Sequence, residues 1–205
     1  MTSQIEDEPE RWPVVASAEQ YQGKIISVRA DTVRVPEGTT MEREVVEHPG
    51  AVGIVALDPG DRVLMIRQYR HAVGRLLWEL PAGLRDVAGE PTVLAARREL
   101  LEETGYQARD WHVLADYFSS PGISTERLRV FLARGLHEVP VADRTFVPVN
   151  EEAHLIVDWV PLDQAVSLVL AGELHNGVAV VGLLAAHIAQ RSGFAGLRDA
   201  DAPER

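Results

Sequence analysis

From residue 51 onward the chain alternates between short apolar runs and tight turns. Residues 51–57, AVGIVAL, are almost continuously apolar, the pattern of a strand buried on both faces. The turn Asp58-Pro59-Gly60-Asp61 follows, and residues 62–69 supply a hairpin partner. Residues 76–80 form a short strand running into Pro81-Ala82-Gly83. Further strands are expected at 111–118, 128–134 and 155–160, with loops at 120–124 and 140–150. Helices are expected at 162–170 and 178–190, joined by a turn at 172–177. The pattern contains no repeats and no low-complexity runs.

The stretch before residue 49 reads differently. Residues 1–10 are rich in Glu, Asp and Pro, a composition that resists burial. Residues 24–35, KIISVRADTVRV, and 41–48, MEREVVEH, have the β-branched content of strands, with PEGTT as the turn between them. Residues 1–48 are therefore expected to be a small β-rich extension, too short for a core of its own. It should pack on the main domain, residues 49–205, or on a second subunit. Strands and helices mixed in this order predict an α+β or α/β fold, a mixed sheet with helices packed on it.

Residues 91–104 predict the helix around which the rest is organised. Pro91 suits a first turn, Gly105 suits a stop, and Ala, Leu, Arg and Glu dominate between them. Val93, Leu94, Ala96, Leu100 and Leu101 can form its core-facing stripe. Glu99, Glu102 and Glu103 stand at i, i+3 and i+4 and share a face. Like charges so placed destabilise a bare helix, so something positive is expected against them. Hard cations such as Mg²⁺ take carboxylate oxygens and commonly bind phosphates as well.

Composition narrows the partners. The 205 residues carry 31 acidic and 20 basic side chains, a formal net charge of −11. That balance argues against a nucleic-acid polymer or an anionic membrane surface as partner. An acidic protein that binds phosphates needs metal ions or a local Arg cluster, and both are available here. There is no Cys, hence no disulfide or thiolate chemistry. The opening MTSQIEDEPERW does not read as a signal peptide, and the longest apolar run, 178–186, is too short to span a bilayer, so a cytoplasmic location is the expectation. The seven His lack zinc-site spacing, no GxGxxG follows a strand, and the four Trp (12, 78, 111 and 159) read as core or interface residues.

The segment LPAGLRDVAGEPTVLAARRELLEETGY, residues 80–106, resembles the Nudix box of hydrolases that act on nucleoside diphosphates linked to another moiety. That box reads Gly, five residues, Glu, seven residues, Arg-Glu-apolar-any-Glu-Glu-any-Gly-apolar. From Glu90 through Arg98, Glu99, Leu100, Glu102, Glu103, Gly105 and Tyr106 the match is complete. Six residues separate Gly83 from Glu90 where the box has five, and Gly89 occupies the place expected for Glu. A one-residue insertion in the loop before the helix accounts for this, because loops absorb insertions and helices do not.

Beyond the box, LWELPAG at 77–83 is similar to the corresponding stretch of the family's ADP-ribose pyrophosphatases. Pro121, sixteen residues after Gly105, and its context Ser120-Pro121-Gly122 followed by Ser124-Thr125-Glu126-Arg127 are similar to the same subgroup. The resemblance implies an α/β/α sandwich around a mixed sheet. It implies hydrolysis of ADP-ribose to AMP and ribose 5-phosphate, by water attacking the adenosyl phosphorus. It implies two or three Mg²⁺ or Mn²⁺ ions, held by Glu99 and Glu103 with Glu102 assisting and the Ala82 carbonyl as a further ligand. Gly83, Glu90, Arg98 and Gly105 would be structural members of the box, with Glu90 the partner of Arg98.

The general base would come from the loop before residue 155, with Glu151 preferred and Glu152 second. Arg70, Arg43, Glu44 and Glu126 would contact substrate, Glu126 through a further ion or its water, and Arg67 is a weaker candidate. A homodimer with exchanged N-terminal extensions follows from the same resemblance. One departure is the lack of an aromatic near Lys24-Ile25-Ile26, where the subgroup often stacks adenine; its loss would weaken binding modestly and loosen base selectivity. Two alternatives stay open. One is another nucleoside diphosphate substrate, a nucleotide sugar or an oxidised nucleotide. The other is a nucleotide-sensing module without catalysis, against which stands the presence of every charged residue from Arg98 to Glu103.

Overall fold

The computed structural model describes residues 5–144 and 155–204. The chain divides into two compact units, Met1–His48 with Ser120–Thr125, and Pro49–Ser119 with Glu126–Arg205.

The first unit is an antiparallel three-stranded meander of β1 (Val14–Gln22), β2 (Ser27–Arg34) and β3 (Thr40–Glu47). Ser17 Oγ donates to Asp31 at 2.6 Å and Arg29 Nε donates to the same carboxylate at 2.9 Å, while Arg29 also pairs with Glu47. The segment Ser120–Thr125 runs beside the end of β3: Val46 N–H donates to Ile123 O at 2.8 Å and Thr125 N–H donates to Val46 O at 3.0 Å. Among its described residues only Asp31 and Val35 are buried, so backbone pairing and ion pairs hold this unit more than a core does. The strand β1 was absent from the sequence pattern. Its nine residues, VVASAEQYQ, are exposed at every position, so no burial signal marks them, and pairing with β2 makes the strand.

The second unit holds β4 (Ala51–Ala56), β5 (Arg62–Arg70), β6 (Arg75–Glu79), β7 (Ala82–Leu84), α1 (Thr92–Thr104), β8 (Tyr106–Gln107), β9 (Asp110–Phe118), β10 (Arg127–Arg134), β11 (His137–Glu138), β12 (Ile156–Pro161), α2 (Leu162–Leu170), α3 (Gly177–Gln190) and β13 (Arg198–Asp199). A mixed five-stranded sheet runs in the order β13-β9-β10-β4-β7, with β4 and β10 parallel. A second, antiparallel sheet runs β12-β5-β6.

Successive side chains of a strand point to opposite faces, and the core follows that alternation. Val52, Ile54 and Ala56 of β4 with Phe131 and Ala133 of β10 pack with Ala95, Ala96 and Leu100 of α1. Val55 of β4 with Val130 and Leu132 of β10 pack with α2 and α3 through Leu162, Ala165, Ala179 and Leu183. This is the mixed α/β arrangement the pattern predicts, with helices on both faces. Trp111 is buried, and Trp78 and Trp159 pack at the margins of the two cores.

Two local differences bear on the site. The strand expected at 76–80 is β6 and ends before Pro81, but a further short strand, β7, follows it and pairs with β4 through Val52 opposite Gly83. The buried stripe of α1 is also turned from the expected one, with Ala95 inside and Leu94 45% exposed. Two small residues, Ala95 and Ala96, let the helix approach the sheet closely, which sets its rotation. The helix ends where Gly105 takes a left-handed conformation (φ 74°) and its N–H caps Leu101 O at 2.8 Å.

Candidate active site

The acidic face of α1 meets the backbone of β7. Glu103 Oε2 accepts the Ala82 N–H at 2.9 Å, which ties the last turn of the helix to the strand. Gly83 lies against the Glu99 carboxylate so closely that a Cβ at position 83 would coincide with it. Any other residue there would displace Glu99, so the glycine belongs to the same arrangement as the acid.

Arg98 lies among the remaining acids. Its Nη1 reaches Glu99 at 2.5 Å and Glu102 at 3.3 Å, and its Nη2 reaches Glu90 at 3.2 Å. The extra loop residue thus leaves Glu90 within reach of Arg98. Burial works against the Arg98 charge, but its hydrogen bond to Glu90 and the charge of Glu99 outweigh it and hold its pKa above the ordinary value.

On the neighbouring sheet, Glu79 at the end of β6 is 1% exposed. Arg70 at the end of β5 grips it with two hydrogen bonds, Nε to Oε1 at 2.9 Å and Nη2 to Oε2 at 2.6 Å. Gln68 Nε2 adds a longer contact at 3.4 Å. Arg67 belongs to the opposite face of β5: its guanidinium lies 5.8 Å from the Trp78 ring centroid, apart from the Arg70–Glu79 pair.

Five glutamates (79, 90, 99, 102 and 103) therefore share two arginines, Arg70 and Arg98. Burial and crowding raise the pKa of two of them, Glu99 and Glu103. Burial pushes Glu103 up to about 8; the Ala82 N–H and Arg70 resist, and the charges of Glu99 and Glu79 push further. Glu99 is raised by burial against the pull of Arg98, with Glu102 and Asp86 adding to the rise. Carboxylates held in this way are hard oxygen donors short of positive charge, and a divalent cation suits them. Among the described residues no three acidic or His side chains converge on one point, since Arg98 draws Glu99 and Glu102 to itself. A cation at Glu99 and Glu103 would compete with that guanidinium for Glu99.

The other expected contacts lie elsewhere in the chain. Glu126 is hydrogen-bonded by Ser119 Oγ just before β10. Arg43 and Glu44 are on β3 of the first unit, opposite Asp31 and Ala30, with Arg43 Nη1 donating to Glu42 O at 3.0 Å. Glu151 and Glu152 fall outside the described residues. Glu79 and Gln68 stand outside the sequence-predicted site residues. The signal was a carboxylate inside the apolar run LLWEL, where burial demands a partner.

The chain is similar to known proteins over most of its length. A NUDIX domain model matches residues 47–179. An ADP-ribose pyrophosphatase of Mycobacterium tuberculosis is 49% identical over 187 residues, 91% of this chain and 88% of that protein. An ADP-ribose pyrophosphatase of Bacillus subtilis is 33% identical over 162 residues, 79% of this chain and 85% of that protein. A crystal structure of an ADP compounds hydrolase superposes with a TM-score of 0.73 at 20% identity, covering 92% of this chain and 98% of that one, which is a likeness of fold.

Proposed function

The chain belongs to the Nudix family, and from that premise we infer that it is a hydrolase that cleaves the pyrophosphate bond of ADP-ribose to AMP and ribose 5-phosphate with the help of divalent metal ions. The observation that carries the reading is the pairing of Glu99 and Glu103 with the Ala82–Gly83 backbone, a desolvated acid excess on one helix face. The two relatives named ADP-ribose pyrophosphatases supply the substrate class.

Mg²⁺ or Mn²⁺, two or three ions per site, would be held by Glu99 and Glu103, with Glu102 and the Ala82 carbonyl completing the set. Bound there, such ions neutralise the pyrophosphate oxygens and lower the pKa of water. The remaining work falls to the chain's own residues. Glu151 takes the proton of the attacking water, with Glu152 as second choice. The water oxygen bonds to the adenosyl phosphorus as the bond from that phosphorus to the bridging oxygen breaks, and the bridging oxygen leaves with ribose 5-phosphate. Arg70, Arg43, Glu44 and Glu126 hold the substrate, guanidinium forks being suited to phosphate oxygens. Arg98 and Glu90 fix the helix that carries the acids. The working form is a cytoplasmic homodimer in which the β-rich extensions are exchanged. The exposed β1 supports that assembly, since an uncovered strand of nine residues is a surface for pairing.

The test is product analysis in ¹⁸O-labelled water with ADP-ribose and Mg²⁺. Labelled AMP is expected from the native protein, and at least about 10²-fold more slowly from Glu103→Gln. Label in ribose 5-phosphate would move the attack to the other phosphorus. No cleavage of ADP-ribose would favour a different nucleoside diphosphate derivative, for which nucleotide sugars are the first panel. Glu151→Gln is expected to lower kcat about 10²-fold or more with metal affinity unchanged; the same loss in Glu152→Gln instead would reassign the base. Light scattering of the purified chain measures the assembly, and a monomer would remove the exchanged dimer.

A further inference from the structure

Glu79 poses a question that the metal-binding helix does not answer. It is 1% exposed, yet its partner Arg70 keeps 43% of its side-chain surface accessible. A carboxylate buried so deeply persists only when its oxygens are satisfied, and here Arg70 Nε and Nη2 and, more weakly, Gln68 Nε2 satisfy them. The register of the hairpin explains the reach. Ile66 stands opposite Glu79, and Gln68 and Arg70 follow on the same face of β5, so both must lean back along the strand to meet the carboxylate. The chain carries Glu79 straight to the acidic helix, and the charges of both Arg70 and Glu79 bear on Glu103. Three residues after Glu79, Ala82 bonds that same Glu103.

A guanidinium is a planar fork. With its Nε–Nη2 edge fixed on Glu79, its remaining nitrogen, Nη1, is set on the other side of the plane's axis, away from the buried carboxylate. We propose that Glu79, supported by Gln68, is a positioning residue of this hydrolase: it holds Arg70 by one edge so that the rest of the fork meets the diphosphate of the substrate above the acidic helix. The inference rests on the reading of the chain as an ADP-ribose hydrolase. A carboxylate suits this role better than its amide, since it offers two acceptors to two parallel donors, whereas a Gln side chain sets an NH₂ against one of them. A lysine at 70 would keep the charge and lose the fork.

The experiment uses the full chain with saturating Mg²⁺ and compares Glu79→Gln, Arg70→Lys and the double variant by kcat, KM for ADP-ribose and melting temperature. Glu79→Gln is expected to raise KM about tenfold, the loss of one charge-assisted hydrogen bond, and to change kcat less than about threefold. Arg70→Lys is expected to raise KM to a similar degree. Because Glu79 acts through Arg70, the double variant should have the KM of Arg70→Lys alone; a product of the two effects would overturn the proposal. So would a folded Glu79→Gln with native KM and only a lowered melting temperature, which would make the pair structural. If Glu79→Gln does not fold, Gln68→Leu takes its place, removing only the longer contact. A rise of about twofold or more in KM supports positioning, and an unchanged KM overturns it. If the native protein does not cleave ADP-ribose, the functional reading fails separately. The same variants are then compared by calorimetric titration with ADP and Mg²⁺, where equal affinities of native and Glu79→Gln protein would overturn the positioning role.

Discussion

Two ionic arrays inside the second unit obey the same electrostatics and end in opposite states. On β9 and β10, Asp116 stands directly across from Arg129, which is 3% exposed. Arg129 holds it at 2.7 and 2.9 Å, and Arg198 of β13 adds a third contact at 2.8 Å. Arg129 also donates to the Ala202 carbonyl at 2.6 Å, so the array straps the C-terminal segment to the sheet. Burial alone would raise the Asp116 pKa, but the two arginines outweigh it and hold the carboxyl below its usual range. At α1 burial, helped by the charges of Glu99 and Glu79, pushes Glu103 up to about 8. A carboxylate held by two arginines makes a strap that needs no cation. An acid excess is what the proposed cation would complete, and on that reading it separates a functional cluster from a structural one.

Removing the acid excess gives the largest effect. Glu103→Gln is expected to lower kcat by roughly 10²–10⁴-fold, because metal ions supply several kcal/mol of charge stabilisation in the transition state. Steady-state assays at saturating Mg²⁺ measure it, and activity within a factor of three of native would take Glu103 out of the site. Breaking the Asp116 array is the mirror experiment. Asp116→Ala leaves buried Arg129 without its carboxylate and is expected to destabilise the fold by about 3 kcal/mol. Urea titration reads that loss, while KM for ADP-ribose should be native in the folded fraction.

The third experiment separates the arrays by pH. The folded-state pKa of Glu103 lies above its unfolded value, so its proton stabilises the fold fully below about 4.5, and that stability is lost as pH rises through about 8. In metal-free protein, Glu103→Gln should therefore raise the melting temperature at pH 9 and leave it nearly unchanged at pH 4, an effect of a few kcal/mol at most. Asp116 has the opposite sign: its folded pKa is lowered, so its contribution is present above the unfolded value and fades as pH falls through the folded one. Equal effects of Glu103→Gln at both pH values would remove the contrast. The smallest effect belongs to Glu90→Gln. Arg98 keeps Glu99 and Glu102 as partners and is 30% exposed, so the expected loss is about 1 kcal/mol or less in a thermal melt.

The sequence by itself determined what depends on neighbours in the chain. The three glutamates share a face because helical spacing puts i, i+3 and i+4 together wherever the helix goes, and Gly105 ends that helix by its own conformational freedom. The strands with strong apolar runs, 51–57 and 128–134, were legible for the same reason, since burial on both faces leaves a continuous apolar run. The family motif carried Glu90, Arg98 and the acids with it, insertion included. The tertiary structure alone decided the rest. The strand β1 has no pattern of its own and exists through pairing with β2. Glu79 becomes a partner of Arg70 only because the hairpin register brings residues 70 and 79 together, and Arg67, three residues earlier, faces the other way because a strand alternates. The raised pKa of Glu103 is likewise a sum over burial, Ala82, Glu99, Arg70 and Glu79, groups that come from three separate strands and a helix. Charge state is set by distance in space, and distances between segments far apart in the chain are settled only when the fold closes.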